Sequence, residues 1–176
     1  HDPTSFTFTS SYGAAFSLTD DSAPNDSGLL LPGTYSVSET VPDGWDLTSA
    51  TCDNGDEPAS ITLNAGETVT CTFTNQKDAN IIVVKQTDPD GDPQVFAFTA
   101  SYDADGFSLT DAATPNDSGD LDPGTYSVSE SLPGGWDFEG AVCSDGSPAN
   151  AISLQAGETV TCVFTNEKDA FIVVDK

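Results

Sequence analysis

The sequence contains no arginine and only four basic residues, against 29 aspartates and glutamates, so its formal net charge is −25. A polyanion of this kind repels phosphate backbones and anionic lipid, which argues against a nucleic-acid partner or a membrane-surface role. Cations are the partners that such a charge favours. A saline habitat or a need for solubility explains the same composition, and the sequence leaves these alternatives open.

Long apolar runs are missing as well. No stretch is long and apolar enough to span a bilayer, and no charged-then-apolar leader opens the chain. We therefore expect no membrane insertion, and we expect a mature protein or a piece excised from a longer one. No helical period of useful length is present either, which favours a fold built from strands.

The chain is a tandem repeat. The motifs "GTYSVSE", "GWD", "AGETVTC" and "FTN" each occur twice, 91 residues apart. The segments between turns are short and rich in Thr, Val, Phe and Tyr, and Gly, Pro, Asn and Asp separate them. We therefore predict an all-β fold of two tandem antiparallel β-sandwiches, each with about seven strands.

The two repeats are cut differently. The apolar strand 80–86 opens the second repeat, whereas the first repeat has no such strand before "SFTFTS". The segment 170–176, "AFIVVDK", aligns with "ANIIVVK" at the same offset. We therefore predict a first repeat at 1–78 without its first strand, a second repeat at 79–169, and a donor strand at 170–176 for the next repeat or subunit. The alternative is a longer array in which "IVVDK" continues into "HDPTSF" by peptide bonds.

Each repeat contains two cysteines at the same separation, and one disulfide per repeat is the simplest pairing, Cys52 with Cys71 and Cys143 with Cys162. Such a bridge closes a loop of roughly twenty residues and contributes about 3 kcal/mol in the chain-entropy model. A zinc site requires closer ligand pairs or histidines, and His1 is the only histidine. Disulfides imply an oxidising, extracellular or cell-surface location.

Three polar residues are predicted to face the core of the second repeat. Side chains alternate along a strand, which puts Glu130 on the apolar face of "GTYSVSES". The same alternation puts Asn166 on the core face of "ETVTCVFTN" and Lys85 on the core face of "NIIVVKQ". Glu39 and Asn75 are the equivalents in the first repeat. Because unpaired polar groups are costly in a core, we expect these side chains to meet.

The order of "VVK", "GTYSVSESLPGGW" and "FTN" resembles the B-type repeat of collagen adhesins and the SpaA-like pilin domains of bacterial surface proteins, which have a prealbumin-like fold. The resemblance extends over both repeats nearly end to end. It implies an isopeptide bond between Lys85 and Asn166 that Glu130 assists. Burial lowers the pKa of a lysine and raises that of a glutamate, which suits a neutral amine nucleophile and a proton-carrying acid. The alternative is an unreacted cluster held by hydrogen bonds.

The same resemblance extends to the donor strand. Lys176 aligns with Lys85, so in the first repeat of a neighbouring subunit it would face Asn75 and Glu39. The cross-link would then be intermolecular. Asp175 departs from the apolar pattern of this strand.

Acidic turns of the second repeat form a candidate calcium site. The motifs "DPDGDP" and "YDADG" present hard oxygen ligands at alternate positions. They lack the length and the distal glutamate of an EF-hand loop, so a solvated acidic turn is the alternative. The first repeat has "HDP" and "YGAAF" in these places, which confines the site to the second repeat. The candidate ligands are Asp88, Asp90, Asp92, Asp103 and Asp105.

Two further sites are glycosylation sequons, "NDS" at Asn25 and at Asn116, on predicted loops. The same residues are equally good turn formers. Apart from the calcium candidate, the sequence requires no cofactor.

No nucleophile, base and orienting group come together in the sequence, so we expect no enzyme that acts on an outside substrate. We interpret the chain as a structural subunit of an extracellular filament, stalk or surface layer. Copies of the chain would assemble head-to-tail by β-strand complementation. The alternative is an adhesin module that presents a ligand-binding surface, which an excess of exposed aromatics on one loop end would favour.

Overall fold

The computed structural model describes residues 2–176, which contain β-strands and no helix. The chain divides into two compact units, residues 1–77 and 78–176, and each has a buried apolar core of its own. These are called the first and second unit below. The predicted all-β fold with two tandem sandwiches is confirmed.

The first unit has strands on both sides of its core. They are β1 (Phe6–Ser10), β2 (Phe16–Leu18), β3 (Gly33–Tyr35), β4 (Val37–Thr40), β5 (Trp45–Cys52), β6 (Ile61–Leu63) and β7 (Cys71–Lys77). Strand β1 lies between β2 and β4, β3 pairs with β6, and β5 pairs with β7, all antiparallel. In β1 the phenylalanines are buried and the threonines exposed, as alternation along a strand requires.

The second unit repeats this arrangement and adds strands. They are β8 (Asn80–Asp88), β9 (Phe96–Ala100), β10 (Asp103–Leu109), β11 (Asn116–Asp117), β12 (Gly124–Tyr126), β13 (Val128–Ser131), β14 (Trp136–Cys143), β15 (Ile152–Leu154) and β16 (Thr159–Lys168). One sheet has the order β11–β8–β16–β14, a second has the order β10–β9–β13, and β12 pairs with β15. Strands β8 and β16 are the first and last strands of the unit, and they lie side by side and run parallel. The fold is otherwise antiparallel.

The motif "GTYSVSES" forms two strands, although its alternation predicts one. Strand β12 pairs with β15, while β13 pairs with β9 in a different sheet. Between them, the Ser127 backbone N–H leaves the ladder and donates to Ser101 Oγ at 3.0 Å. The chain therefore crosses between sheets at Ser127, and the core face of β13 carries Glu130.

An aromatic cluster lies at the centre of each unit. In the second unit, Phe98 stacks on Phe107 and meets Phe164 edge-on, with centroids 5.2 Å apart in both pairs. The ring of Trp136 lies edge-on to Phe96 at 5.2 Å. The first unit has the equivalent pairs at 5.1 to 5.3 Å. Pairs of this geometry contribute about 0.5–1.5 kcal/mol beyond the area that they bury.

Strand β8 has no counterpart in residues 2–77. Strand β16 begins at Thr159, and its first residues pair with β8 from Asn80 onward. In the first unit the same sequence motif enters its strand only at Cys71, because no neighbour takes the hydrogen bonds of residues 68–70 on that side. The missing neighbour therefore shortens the strand.

Candidate functional site

Three polar side chains meet in the core of the second unit. Lys85 projects from β8, Asn166 from β16 and Glu130 from β13. Lys85 Nζ donates a hydrogen bond to Asn166 Oδ1 at 2.5 Å and lies 3.6 Å from Glu130 Oε1. The parallel register pairs Lys85 with Phe164, so that Asn166, two residues further along β16, faces the same side. The structure therefore brings these three predicted residues together.

The cluster is closed to solvent. Asn166 is 0% exposed and Lys85 is 3% exposed, and the Glu130 side chain is 3% exposed. Lys85 Nζ also donates to the Phe164 carbonyl at 3.2 Å, and it lies 4.2 Å from the centroid of the Phe96 ring. The lysine is thus held by backbone carbonyls and an aromatic face in addition to Asn166.

Hydrogen bonding in the cluster is incomplete. Within residues 2–176, the Glu130 carboxylate oxygens and Asn166 Nδ2 are buried without a hydrogen bond of normal geometry, and the ion pair with Lys85 is the contact that Glu130 makes at 3.6 Å. Leaving a buried polar group unsatisfied costs about 1–3 kcal/mol. The arrangement is therefore costly for a purely structural cluster.

Burial shifts the pKa values of both ionisable groups toward their neutral forms. Loss of hydration lowers the pKa of the Lys85 amine, and the charge of Glu130 opposes this only in part. Loss of hydration likewise raises the pKa of the Glu130 carboxyl, against the opposing charge of Lys85. The two shifts agree in direction and favour a neutral amine beside a protonated acid.

A groove of about 510 Å³ opens beside the cluster. Its lining includes Glu130, Leu132, Phe138, Ala141 and Phe164. It lies between β13 and β14, which are edge strands of the two facing sheets. The groove therefore adjoins the cluster at Glu130.

The first unit contains two of the three cluster residues. Asn75 Nδ2 donates to Glu39 Oε2 at 2.9 Å, and both side chains are half-buried. The lysine of this unit, Lys77, pairs instead with Asp2 at 2.9 Å. Among residues 2–176, Glu39 and Asn75 therefore face each other with no lysine beside them.

The flank of the first unit that corresponds to β8 is open. In the second unit, β8 lies between β16 and β11. The first-unit equivalent of β11, residues 25–26, forms no strand. Beyond it, Leu29 is 106% exposed and Leu31 is 80% exposed. We call the flank formed by β7 and residues 25–31 the open edge.

The segment 170–176 is also unpaired. It forms no strand, and its apolar residues Phe171, Ile172, Val173 and Val174 are 85–93% exposed. The Lys176 ammonium contacts no acidic group in the part of the chain that the structure describes, whereas Lys77, Lys85 and Lys168 each have an acidic neighbour. An apolar strand sequence and a free lysine thus lie together in water.

Both predicted disulfides are present. Cys52 bonds to Cys71 and Cys143 bonds to Cys162. In each unit the two cysteines are directly opposite on neighbouring strands, β5 with β7 and β14 with β16. The bridge of the second unit therefore anchors the edge strand β14 to β16, the strand that carries Asn166.

The five aspartates of the calcium prediction are not gathered into one site. Asp92 pairs with Lys168 at 2.7 Å, and Asp103 Oδ1 accepts the Asp105 backbone N–H at 3.1 Å within a bulged part of β10. No three ligand atoms that include one from Asp88, Asp90, Asp92, Asp103 or Asp105 lie within 4.8 Å of one another in residues 2–176. Calcium binding stays a prediction.

The two sequons differ in environment. Asn25 is exposed in an irregular segment. Asn116 is half-buried in β11, where its Oδ1 accepts a hydrogen bond from the Tyr102 hydroxyl at 3.3 Å. Burial raises the pKa of Tyr102 to about 12. Glycosylation at either asparagine stays a prediction, and Asn25 is the more accessible.

Sequence reasoning missed a contact of a lysine with an aspartate and a tryptophan, which recurs at one end of each unit and which we call the clasp. Lys168 pairs with Asp92 and lies 5.5 Å from the centroid of the Trp136 ring. Lys77 makes the same contacts with Asp2 at 2.9 Å and Trp45 at 5.6 Å. The signal was present in the sequence, because each "GWD" motif is followed by a lysine at the same distance and preceded by a "DP" pair.

Sequence comparison assigns the family. A profile described as a prealbumin-like fold domain, SpaA_4, matches residues 1–77 and again residues 81–168. The chain belongs to this family. No curated protein sequence matches the chain significantly. The family match accounts for the tandem organisation, since each matched segment corresponds to one sandwich.

The solved structures that resemble this chain include a pilus adhesin and a major pilin. A C-terminal fragment of the pilus adhesin SpaC from Lactobacillus rhamnosus GG is 16% identical, with a TM-score of 0.39, covering 97% of this chain and 90% of that one. The major pilin protein T-13 of Streptococcus pyogenes is 17% identical, with a TM-score of 0.39, covering 94% and 90%. At these scores the assignment rests on the family profile. In residues 2–176 we find no helix of the length and apolarity needed to cross a bilayer.

Proposed function

We propose that this chain is a structural subunit of an extracellular filament, stalk or surface layer. Copies assemble head-to-tail when residues 170–176 of one copy enter the open edge of the first unit of the next. The observation that carries this proposal is a pair of complementary defects. The first unit has a glutamate and an asparagine without a lysine beside them, and the exposed terminal segment has a lysine without an acidic partner.

The second unit provides the template for the inserted strand. There β8 runs parallel to β16 and antiparallel to β11, and its Ile81 and Val83 are fully buried. Burying such side chains contributes roughly 1.5–3 kcal/mol each. A strand that enters the first unit in the same register gains the same burial and satisfies the backbone groups of residues 68–70. Strand addition of this kind is a known recognition mode, and a head-to-tail contact propagates without closing.

The core-facing residues of the two strands are identical. Ile172 and Val174 align with Ile81 and Val83, and Lys176 aligns with Lys85. A terminal strand that enters in this register would bring the Lys176 amine between Asn75 and Glu39. Asp175 aligns with Val84, which is half-buried on the opposite face of β8, so its charge does not enter the core.

The cluster of the second unit supports an isopeptide bond between Lys85 and Asn166. The neutral amine attacks Asn166 Cγ, the new Nζ–Cγ bond forms, the Cγ–Nδ2 bond breaks, and one ammonia leaves. Protonated Glu130 donates a proton to the amide oxygen during attack, takes up the amine proton and passes it to the leaving nitrogen, and recovers its own proton from the oxygen as the carbonyl re-forms. The groove beside Glu130 gives the ammonia its exit. Lys176, Asn75 and Glu39 would react in the same way between subunits, which makes the polymer covalent.

An adhesive role has weaker support. Among the described residues, Phe138 on β14 and Phe171 in the terminal segment are the exposed aromatic side chains, and they do not form a cluster on a loop end. The cluster chemistry acts on the chain itself, so we propose no enzymatic activity on an outside substrate.

The test compares the full chain with a chain that lacks residues 170–176 and with Ile172→Asp, which changes a residue 93% exposed in the free chain. Analytical ultracentrifugation should show concentration-dependent oligomers for the full chain and monomers for both variants. Full chains that stay monomeric at high concentration, or variants that still assemble, would overturn strand complementation.

The cross-link has a separate readout. The intact mass under reducing conditions should be lower by one ammonia for the bond of the second unit, and Glu130→Ala should restore the unmodified mass. Glu39→Ala should leave that bond intact while preventing a covalent ladder on denaturing gels. An unmodified mass in the parent chain would leave only the hydrogen-bonded cluster.

A further inference from the structure

The strand that fills the open edge differs from β8 only on its outer face. Residues 78–85 read "DANIIVVK" and residues 169–176 read "DAFIVVDK". The core-facing positions and the first two residues are the same in both. The three differences, Phe171 for Asn80, Val173 for Ile82 and Asp175 for Val84, all lie on the face that points away from the core. Any preference between the two strands must therefore come from the outer face.

At the first of these positions the second unit is polar. Asn80 Nδ2 donates to Asp117 Oδ1 at 3.3 Å, and its Oδ1 accepts from Thr159 Oγ1 at 2.6 Å. Leu121 pairs with Ala79 through two backbone hydrogen bonds of 2.8 and 2.9 Å, and aspartates flank it on both sides, at 120 and 122. This end of β8 is therefore surrounded by hydrogen-bonding and charged groups.

The first unit keeps the two polar partners of this position, as Asp26 and Thr68, but differs from the second unit beside them. Leu29 and Leu31 replace the two aspartates on either side of Leu30, and both are almost fully exposed in the free chain. In the second unit Asp117 pairs with Ile82 and Leu121 with Ala79, so in the register of β8 Phe171 comes to lie beside Gly28 and Leu29. At these three aligned positions the second unit has the polar residues Asn80, Asp120 and Asp122. The terminal segment and the first unit have exposed apolar residues there, Phe171 in the segment and two leucines in the unit.

The reverse change occurs at the other end of the strand. Val84 lies next to Val163 in the register of β8 with β16. The equivalent pair in the first unit is Asp175 with Thr72, because Thr72 aligns with Val163. An apolar pair in the second unit therefore corresponds to a polar pair at the open edge. At both ends of the strand, the residue on the terminal segment and the residue on the first unit differ together from their second-unit equivalents. A terminal segment that did not bind the first unit would have no reason to differ in step with it.

We propose that Leu29, Leu31 and Thr72 are specificity residues, which select the terminal strand of a second copy of this chain, through Phe171 and Asp175, over strands of the β8 type. This inference rests on the strand complementation proposed above. Phe171 buries its ring against the two leucines, and Asp175 keeps its carboxylate at the solvent-facing hydroxyl of Thr72. A β8-type strand would keep asparagine contacts with Asp26 and Thr68, but it would place a valine against threonine and would leave both leucines exposed.

The acceptor for the test is the full chain with Ile172→Asp, whose own terminal strand is disabled and whose open edge is unchanged. Two fluorescent peptides, DAFIVVDK and DANIIVVK, are titrated into it and followed by anisotropy. We expect DAFIVVDK to bind roughly tenfold more tightly, which corresponds to the loss of one good apolar contact in the other peptide. Substituting the second-unit residues into the acceptor, as Leu29→Asp, Leu31→Asp and Thr72→Val, should abolish or reverse the preference.

Added charge is controlled with Val142→Asp, at a 73% exposed position on β14 of the second unit. This variant should keep the preference for DAFIVVDK. Equal affinities for both peptides in the parent acceptor, or a preference that survives the triple substitution, would overturn the specificity assignment and leave strand complementation standing. If neither peptide binds, strand complementation itself is wrong.

Discussion

The two units share their sequence motifs but not their burial. Phe164 is 2% exposed and Cys162 is 0% exposed in the second unit, while their equivalents Phe73 and Cys71 in the first unit are only half-buried. The aromatic pairs are nearly the same in both, so the difference does not lie in the core residues themselves. The difference in burial is explained by β8, which covers this side of the second unit.

The comparison shows what one strand contributes to a sandwich of this size. Strand β8 adds fully buried apolar side chains, supplies backbone partners to two neighbours, and brings the lysine of the polar cluster. Without it, the first unit keeps its fold but leaves an edge that can pair. Each unit has a single tryptophan, Trp45 or Trp136, so replacing one by phenylalanine makes fluorescence report on the other unit alone.

The largest expected effect comes from breaking β8. Ile81→Ala removes a fully buried side chain and should lower the unfolding free energy of the second unit by about 4 kcal/mol, measured by urea titration with Trp136 as the probe. Ile172→Ala is the matched control, at the aligned but exposed position of the terminal segment. In a monomeric chain it should change neither transition. Equal effects of the two variants would contradict the assigned role of β8.

Reducing the disulfides should have the next largest effect. Each bridge spans a sequence separation of 19, and its loss should cost about 3 kcal/mol in its own unit. The bridge Cys52–Cys71 has a half-buried sulfur partner, while both cysteines of the second unit are buried. Thiol labelling at low reductant should therefore modify the first unit before the second. The same rate for both bridges would count against the burial difference.

A smaller effect is expected from titration of the cluster. Burial raises the pKa of Glu130 above its ordinary value of 4.5, so the folded state keeps a proton that the unfolded chain releases. The resulting stability is fully present below that ordinary value and is lost as the pH rises through the higher pKa of the folded state. In a Lys85→Met background, which cannot form the cross-link, the second unit should lose stability between pH 4.5 and neutrality.

Adding Glu130→Gln to that background should remove this loss, as measured by urea titrations at several pH values. Glu39→Gln in the same background is the control for carboxylates in general, and it should leave the second-unit transition unchanged. If the unfolding free energy of the second unit instead rises over this pH range, the folded state does not keep the proton, and a protonated Glu130 is ruled out.

The smallest effect is expected at the clasps. Lys168→Ala removes the contacts with Asp92 and Trp136, and Lys77→Ala removes their equivalents in the first unit. Exposed ion pairs contribute little to stability. Both substitutions should change the melting temperature only slightly and by similar amounts, since the clasps are the same in the two units. A large drop in one unit alone would reveal a role that the contacts do not explain.

The local pattern determined much of this protein. Repeats, turn residues and two-residue alternation predicted two all-β units, because these signals depend only on neighbouring residues. Equal cysteine spacing in the two repeats predicted the disulfide pairing that the structure contains. Alternation also placed Lys85, Glu130 and Asn166 on core faces. What alternation cannot give is which strands are neighbours, and so whether these faces meet at one point.

Only the tertiary structure decided how distant strands are matched. The parallel register of β8 with β16 brings the Lys85 amine to Asn166, and it puts Val84, with which Asp175 aligns, on the outer face of β8. Contacts between strands so far apart in the chain depend on how the sheets close around one core, and no local sequence rule specifies that closure.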